Sequence, residues 1–424
     1  MVHPKMKFTY VGIDSHKDTH TAFFLDCFFE KLGSITLGNL PADFAAFLRE
    51  TPRFKMDGTA LLFGMEDVSQ YGRALAQFLM ANNQPVKHVN AYLIARERKN
   101  LNLEKSDFVD AECAARILIS RFGNLPDAED DERYHVLRTL VVRRDFLTRC
   151  NLMIKTYLHS LLTVDFPNYH KFFAGIGGKT SIAFFSKYTF PGMLIGISAE
   201  ELSQFLREHS GGLLGMVRAK EILAALDPAA TLEISEKQQV RSTIIRSTIQ
   251  QLQYNIDDLE AVEIELARVF KSFNTTLTSM SGLDIVSASQ LLSCIGDIRK
   301  FPTPAKLARY AGIAPISHSS GKRDMQFASQ RGDRELNSLF YQLAVRLLLT
   351  FGPKHKAHNP YFYEYYKKKV SEGKTKRQAI KCVQRRLVNI VWGMLTHGED
   401  YVNPPMVPVD RPAVEAEVRK LKAK

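Results

Sequence analysis

The chain has 424 residues, of which 45% are hydrophobic and 24% charged, with a net charge of +12. That length allows two or three domains with full cores, and the composition is that of an ordinary globular protein, which excludes a fibrous or disordered chain. No apolar run is long enough to cross a bilayer and the start, Met1-Val2-His3-Pro4-Lys5, has no signal-peptide core, so no membrane partner and a cytoplasmic location are expected.

Residues 8–13, Phe-Thr-Tyr-Val-Gly-Ile, read as a buried strand that delivers Asp14 at its tip. A polar turn, Ser15-His16-Lys17-Asp18, and the run Thr21–Leu25 predict a hairpin. Ala60–Met65 form another apolar strand that ends at Glu66, and Pro85–Val89 a short one. Helices at 43–48 and 73–79 would cover the sheet. Asp107 and Asp110 are spaced i,i+3, so a helix puts both on one face. The turn Asn124-Leu125-Pro126-Asp127 then closes an α/β domain over residues 1–126.

Any one of these four acids alone reads more simply as a solvated charge. Together they offer the oxygen ligands that a hard divalent cation such as Mg2+ requires, and a cation so held can act on phosphate.

Residues 127–272 predict two long helices around an inserted helical segment, 166–234. Leu140, Leu147, Ile154 and Leu161 recur every seven residues in the first. Ile245, Ile249, Leu252, Ile256, Leu259, Leu266 and Phe270 recur in fours and threes in the second, with Glu263 as the polar interruption. Such heptads mean a coiled-coil pair, either within the chain or between subunits. Between the helices, Gly175-Ile176-Gly177-Gly178-Lys179-Thr180 lacks the first glycine of a Walker loop and reads as a plain loop.

The five cysteines, Cys27, Cys113, Cys150, Cys294 and Cys382, have no metal-ligand or disulfide spacing and read as small buried apolar residues.

Positive charge gathers at the end of the chain. From Arg299 to Lys424 there are 25 Lys and Arg against 10 Asp and Glu, a net of +15, so the rest carries about −3. A basic region beside an acidic metal site suits phosphate binding. Leu277–Ile295, with Ser281-Gly282-Leu283 in its middle, predict two short helices around a tight turn. Asp284 stands where a second glycine would let the turn hold phosphate, so the turn reads equally as packing. In Ser319-Ser320-Gly321-Lys322-Arg323, a serine beside a glycine and two cations can present its hydroxyl to a phosphate, although such a stretch alone is more often a surface loop. Further cations follow at Arg331, Arg334, Lys367, Lys368, Lys369, Lys376 and Arg377, interleaved with Tyr361, Tyr363, Tyr365 and Tyr366. Cations fit a nucleic-acid backbone and aromatic faces fit unpaired bases; an aromatic core stripe under a solvated face is the plainer alternative.

Gly12-Ile13-Asp14-Ser15-His16-Lys17-Asp18-Thr19-His20, Glu66 with Tyr71-Gly72, and Lys105-Ser106-Asp107-Phe108-Val109-Asp110-Ala111 resemble the amino-terminal motifs of the insertion sequence 110 family of transposases. Met280–Asp284, Ile295–Ile298, Tyr310–Pro315 and Ser319–Arg323 resemble that family's carboxy-terminal domain. The resemblance covers roughly residues 8–115 and 278–395. It implies a fold of α/β plus α type: a ribonuclease-H-like (RuvC-like) N-terminal domain, long coiled-coil helices, and a mostly helical C-terminal transposase domain, 273–398, with a helix-hairpin-helix-like start, followed by a basic tail, 399–424. It also implies that Asp14, Glu66, Asp107 and Asp110 hold Mg2+, and that a catalytic serine falls on Ser320, with Ser319 one residue out of register. Donor and target DNA, a structured bridge RNA, and a dimer that assembles to a tetramer would be the partners. Two other functions stay open on the residues: a RuvC-like structure-selective endonuclease using the four acids alone, and a non-enzymatic nucleic-acid-binding protein.

Overall fold

Six consecutive residues, 9–14, are buried in the first strand, because helices cover both faces of the sheet it centres. The computed structural model describes residues 3–66, 68, 70–128, 131–166, 168–226, 236–320, 323–327, 332–351 and 356–403. They form two units, one of residues 1–135, 279–282 and 291–424, the other of 136–278 and 283–290. Among the described residues, no helix is long and apolar enough to cross a membrane.

The first unit begins with β1 (Phe8–Ser15), β2 (Thr19–Leu25), β3 (Lys31–Gly38), α1 (Pro41–Glu50), β4 (Ala60–Met65), α2 (Arg73–Ala81), β5 (Val86–His88), α3 (Ala91–Asn100) and α4 (Asp107–Ser120). The sheet has the order β3-β2-β1-β4-β5. Its β1–β2 and β2–β3 pairs are antiparallel, and its β1–β4 and β4–β5 pairs parallel. Side chains alternate along β1. Val11 and Ile13 therefore meet Phe44 and Phe47 of α1 and Leu75 and Leu79 of α2, whereas Tyr10 meets Ala114, Ile117 and Leu118 of α4. Gly12 and Asp14 share the Tyr10 face. At about 1.5–3 kcal/mol for each fully buried large side chain, these two clusters hold the sheet more than strand propensity does.

The hairpin and the strands at 60–65 and 86–88 follow the sequence reading. β3 does not, because as an edge strand it buries only Leu37 and so carries no apolar run.

In the second unit α5 (Glu132–Asp165) and α9 (Glu236–Lys271) flank α6 (Lys179–Lys187), α7 (Ala199–Ser210) and α8 (Met216–Ala224). α5 and α9 run antiparallel within the chain: Arg143 pairs with Asp258, Arg144 with Glu263 and Arg241 with Asp165. Glu263, the polar break in the heptads, is thus matched by a cation at 2.8 Å. Asn255 Nδ2 donates to Asn151 Oδ1 at 2.8 Å and to the Leu147 carbonyl at 2.9 Å. A polar pair inside such a seam fixes register, since any slip would leave it unsatisfied. Leu158, Leu162, Ile245, Ile249 and Leu252 continue the seam into a core with Phe166, Phe172, Phe184 and Phe185. The Gly175–Gly178 segment is closed by Ser181, whose hydroxyl donates to the Gly175 and Gly178 carbonyls.

The remaining elements are α10 (Ile285–Ile295), α11 (Pro304–Tyr310), β6 (Ile316–Ser320), β7 (Arg323–Phe327), α12 (Arg334–Leu348), β8 (Thr350–Phe351), β9 (Lys356–Ala357), α13 (Pro360–Ser371) and α14 (Lys376–His397). Helices predominate. α11, α12 and α13 pack on α14, which buries Val383, Leu387 and Val391. Gly282 has φ +88 and lies against Leu343 and Leu347, while its carbonyl accepts from Arg346 Nη1 at 2.6 Å. Asp284 Oδ1 accepts the Ser287 N–H at 2.7 Å, so a carboxylate already occupies the start of α10 where a phosphate would sit. Cys113 is buried; the other four cysteines are half-buried.

Candidate metal site and basic surface

Asp14 comes from the last turn of strand alternation on the face of β1 that packs against α4. α4 starts at Asp107 because Ser106, extended in backbone, accepts the Val109 N–H at its N-cap. Strand end and helix start are thereby brought together. Between them stands His16: its Nε2 lies 3.1 Å from Asp14 Oδ2 and 3.1 Å from Asp107 Oδ1. Ligand atoms of Asp14, His16 and Asp107 all lie within 4.8 Å of one another. The side chain of Asp14 is 11% exposed, against 50% for His16 and 57% for Asp107, so the cluster is buried at its base and open to solvent.

The charges are strongly coupled. Burial raises the Asp14 carboxyl above the usual carboxylate range; His16 opposes the shift, and the negative charges of Asp110 and Asp107 add to it. His16 is shifted too: burial lowers it, but Asp14 and Asp107 outweigh that and leave it above an ordinary histidine. A divalent cation would relieve this crowding of negative charge, so the donor set fits a metal.

Asp110 is placed differently. It is buried and ion-paired with Arg98 of α3. Glu66, half-buried, is the first residue beyond β4, directly after Met65, which pairs with Ile13 of β1.

Three contributors were absent from the sequence-derived set. His16 stood in the predicted turn, and its signal was an imidazole two residues beyond a strand-end carboxylate. Arg98 had none, because its pairing depends on how α3 packs on α4. Asn39 fixes the turn: His20 Nε2 donates to Asn39 Oδ1 at 2.9 Å, Asn39 Nδ2 to the Lys17 carbonyl at 2.9 Å, and Asn39 N–H to the Asp18 carbonyl at 3.1 Å.

Ser320 ends β6 and pairs in register with Arg323 of β7, while Ser319 pairs with Asp324. Of these residues the backbone alone is described, and Lys322 and Arg331 lie outside the described residues. Arg334 is exposed at the start of α12. Lys367 pairs with Glu364 and lies 4.3 Å from the Tyr363 ring; Lys369 pairs with Glu372 and lies 5.5 Å from the Tyr365 ring. Arg386 of α14 is 5.1 Å from the Tyr361 ring and 4.4 Å from that of Tyr365. These tyrosines are half-buried, not fully in the core. Lys368 is exposed, as are Lys376 and Arg377 in the first turn of α14. Cations there oppose the helix dipole, a cost of a few tenths of a kcal/mol or more that an anionic ligand would reverse.

Two family models match the chain: one described as "Transposase" over residues 11–167, and one described as "Transposase IS116/IS110/IS902 family" over 274–367. An uncharacterised protein of insertion element IS116 from Streptomyces clavuligerus is 25% identical over 94% of this chain and 97% of its own length. One from insertion element IS110 of Streptomyces coelicolor is 33% identical over 30% of this chain and 29% of its own. The pilin gene-inverting protein of Moraxella bovis is 31% identical over 30% of this chain and 37% of its own. The matched segments contain both the Asp14–Asp107 cluster and the Ser320 hairpin, and with them the chain belongs to the insertion sequence 110 family of transposases.

Proposed function

We propose that the chain is a recombinase of an insertion element that cuts and rejoins DNA by Mg2+-dependent chemistry with Ser320 as nucleophile, guided by a bridge RNA. The observation that carries the reading is the meeting of Asp14 and Asp107 at the end of β1 and the start of α4, inside a segment matched by a transposase family. The order and direction of the five strands support a ribonuclease-H-like (RuvC-like) fold for the N-terminal domain, 1–126, with coiled-coil and serine-bearing domains at 127–272 and 273–398.

Asp14, Glu66, Asp107 and Asp110 would hold the metal, with Arg98 paired to the Asp110 carboxylate. When bound, the cation would supply Lewis-acid stabilisation of the attacking and leaving oxygens. In the proposed step the Ser320 oxygen forms a bond to phosphorus while one phosphorus–oxygen bond of DNA breaks, and the leaving oxygen takes up the proton that the serine gives up. Attack by a new DNA end reverses the exchange and frees the serine. Arg323, across from Ser320 in register, and Lys322 would neutralise the non-bridging oxygens. Arg331, Arg334, Lys367, Lys368, Lys369, Lys376 and Arg377 would hold donor DNA, target DNA and RNA by their backbones, leaving sequence to base pairing. A dimer that assembles to a tetramer, acting in the cytoplasm, completes the proposal.

The test is strand exchange by the purified protein with the RNA that copurifies with it. Asp14→Asn should abolish exchange while nucleic-acid binding persists. Exchange that continues without divalent metal or after removal of the RNA would overturn the corresponding part.

A further inference from the structure

His16 stands between the carboxylates of Asp14 and Asp107. Its Nε2 is 3.1 Å from a carboxylate oxygen on each side. Neighbouring ligands of a cation with bonds of about 2.1 Å stand roughly 3 Å apart, so each imidazole–carboxylate spacing suits a pair of adjacent ligands, and all three ligand atoms lie within 4.8 Å of one another. The imidazole is also presented by a fixed turn, since Asn39 bonds the carbonyls of Lys17 and Asp18. Meanwhile one of the four acids, Asp110, is committed to Arg98.

We propose that His16 is a metal ligand and that it gives the site a preference for a first-row transition cation over Mg2+. The inference rests on the metal-dependent reading of this same cluster. Mg2+ favours oxygen and sheds water reluctantly, whereas imidazole nitrogen suits transition cations. A mixed set of one imidazole and two carboxylates accordingly discriminates where carboxylates alone would not. The competing arrangement is an imidazolium bridging two carboxylates, which a cation would have to displace. The two differ in sign: removing a ligand weakens metal binding, and removing a competing cation strengthens it.

Mn2+ is the probe, titrated into the full-length protein by calorimetry with Mg2+ titrated in parallel, and its bound form read by electron spin-echo spectroscopy. The expected result is tighter binding of Mn2+ than of Mg2+, with 14N coupling from a directly bound imidazole. His16→Ala should remove that coupling and weaken Mn2+ roughly tenfold or more, while Mg2+ affinity changes by about twofold at most. The side chain is half-exposed, so the variant leaves the core intact. Mn2+ binding that depends on Asp14 and Asp107 but shows no 14N coupling, or that strengthens in His16→Ala, overturns the assignment of His16 and leaves the metal site standing. Absence of any Mn2+ or Mg2+ binding sensitive to Asp14→Asn overturns both.

Discussion

Gly12 and Ala111 are in backbone contact: a Cβ built on the glycine would overlap the Ala111 carbonyl oxygen and the Ala115 amide nitrogen of α4. Because Asp14 is two residues along β1 and Asp107 one turn back along α4, this contact sets the distance between the two carboxylates. Gly12→Ala must push the helix off the strand, costing on the order of 1–3 kcal/mol for overpacking. Urea unfolding should report that loss, and Mn2+ affinity should fall with it. A variant with unchanged midpoint and metal affinity would show that α4 is not held by this contact.

Arg98 and Asp110 give a second prediction. Removing one member of a buried pair leaves the other uncompensated, so Arg98→Ala should destabilise by about 3 kcal/mol. Arg98→Ala/Asp110→Ala should recover part of it. Equal stability of the single and double variants, measured by denaturant titration, would argue that Asp110 is satisfied by something other than Arg98.

The parts of this architecture legible in the sequence are those fixed by local chemistry. Apolar runs ending in Asp14 and Glu66 announce strands, and Ser106 ahead of Asp107 announces a helix start. Heptads announce α5 and α9, but their partnership within one chain shows only in cross-helix contacts such as Asn151–Asn255 and Arg144–Glu263, which periodicity does not reveal. The β6–β7 hairpin is not announced by the sequence, because Ile316-Ser-His-Ser-Ser and Arg323-Asp-Met-Gln-Phe carry little alternating apolar pattern. His16 and Arg98 were hidden for another reason. Each acquires its role only when distant elements pack and bring a carboxylate to it.

Asp165 predicts a pH dependence. Its side chain is 7% exposed and 3.5 Å from Arg241, and Oδ2 is buried without a hydrogen-bond partner. Burial raises its carboxyl above the usual range, and Arg241 only partly offsets this. Folding therefore favours the protonated form, so the contribution to stability is full at low pH and falls as pH rises from the ordinary carboxylate value through the folded one. Asp165→Asn should stabilise the protein at pH 7 by on the order of 1 kcal/mol, or about 2–4 °C in Tm, and the gain should vanish at acid pH. An offset constant across pH would refute this.

Nucleic-acid affinity should fall steeply with salt, each phosphate contact adding about 0.9 to the slope of log affinity against log salt. Lys376→Ala/Arg377→Ala should lower the slope by roughly 2 and weaken all sequences alike. Lys367→Ala should lower it less, because Glu364 already offsets that charge. Fluorescence anisotropy at several salt concentrations measures both, and an unchanged slope in the double variant would remove α14 from the interface.

The final prediction concerns which serine reacts. Ser319 and Ser320 are adjacent, but register sets Ser320 across from Arg323 and Ser319 across from Asp324. By residue type, the position in register with Ser320 carries a cation and the one in register with Ser319 a carboxylate, whose charge would oppose both the substrate and the negative charge that builds in the transition state. Ser320 is therefore the expected site of a covalent DNA adduct. Trapping the reaction on a nicked substrate, denaturing it and mapping the modified peptide by mass spectrometry should place the nucleotide on residue 320. Ser320→Ala should abolish the adduct, Ser319→Ala should retain it, and Arg323→Ala should slow its formation by about a hundredfold, the usual cost of one stabilising donor. An adduct at Ser319 would reverse the electrostatic argument while keeping covalent exchange. Efficient recombination by Ser319→Ala/Ser320→Ala would exclude a serine nucleophile at this hairpin and leave the carboxylate cluster to act through water alone.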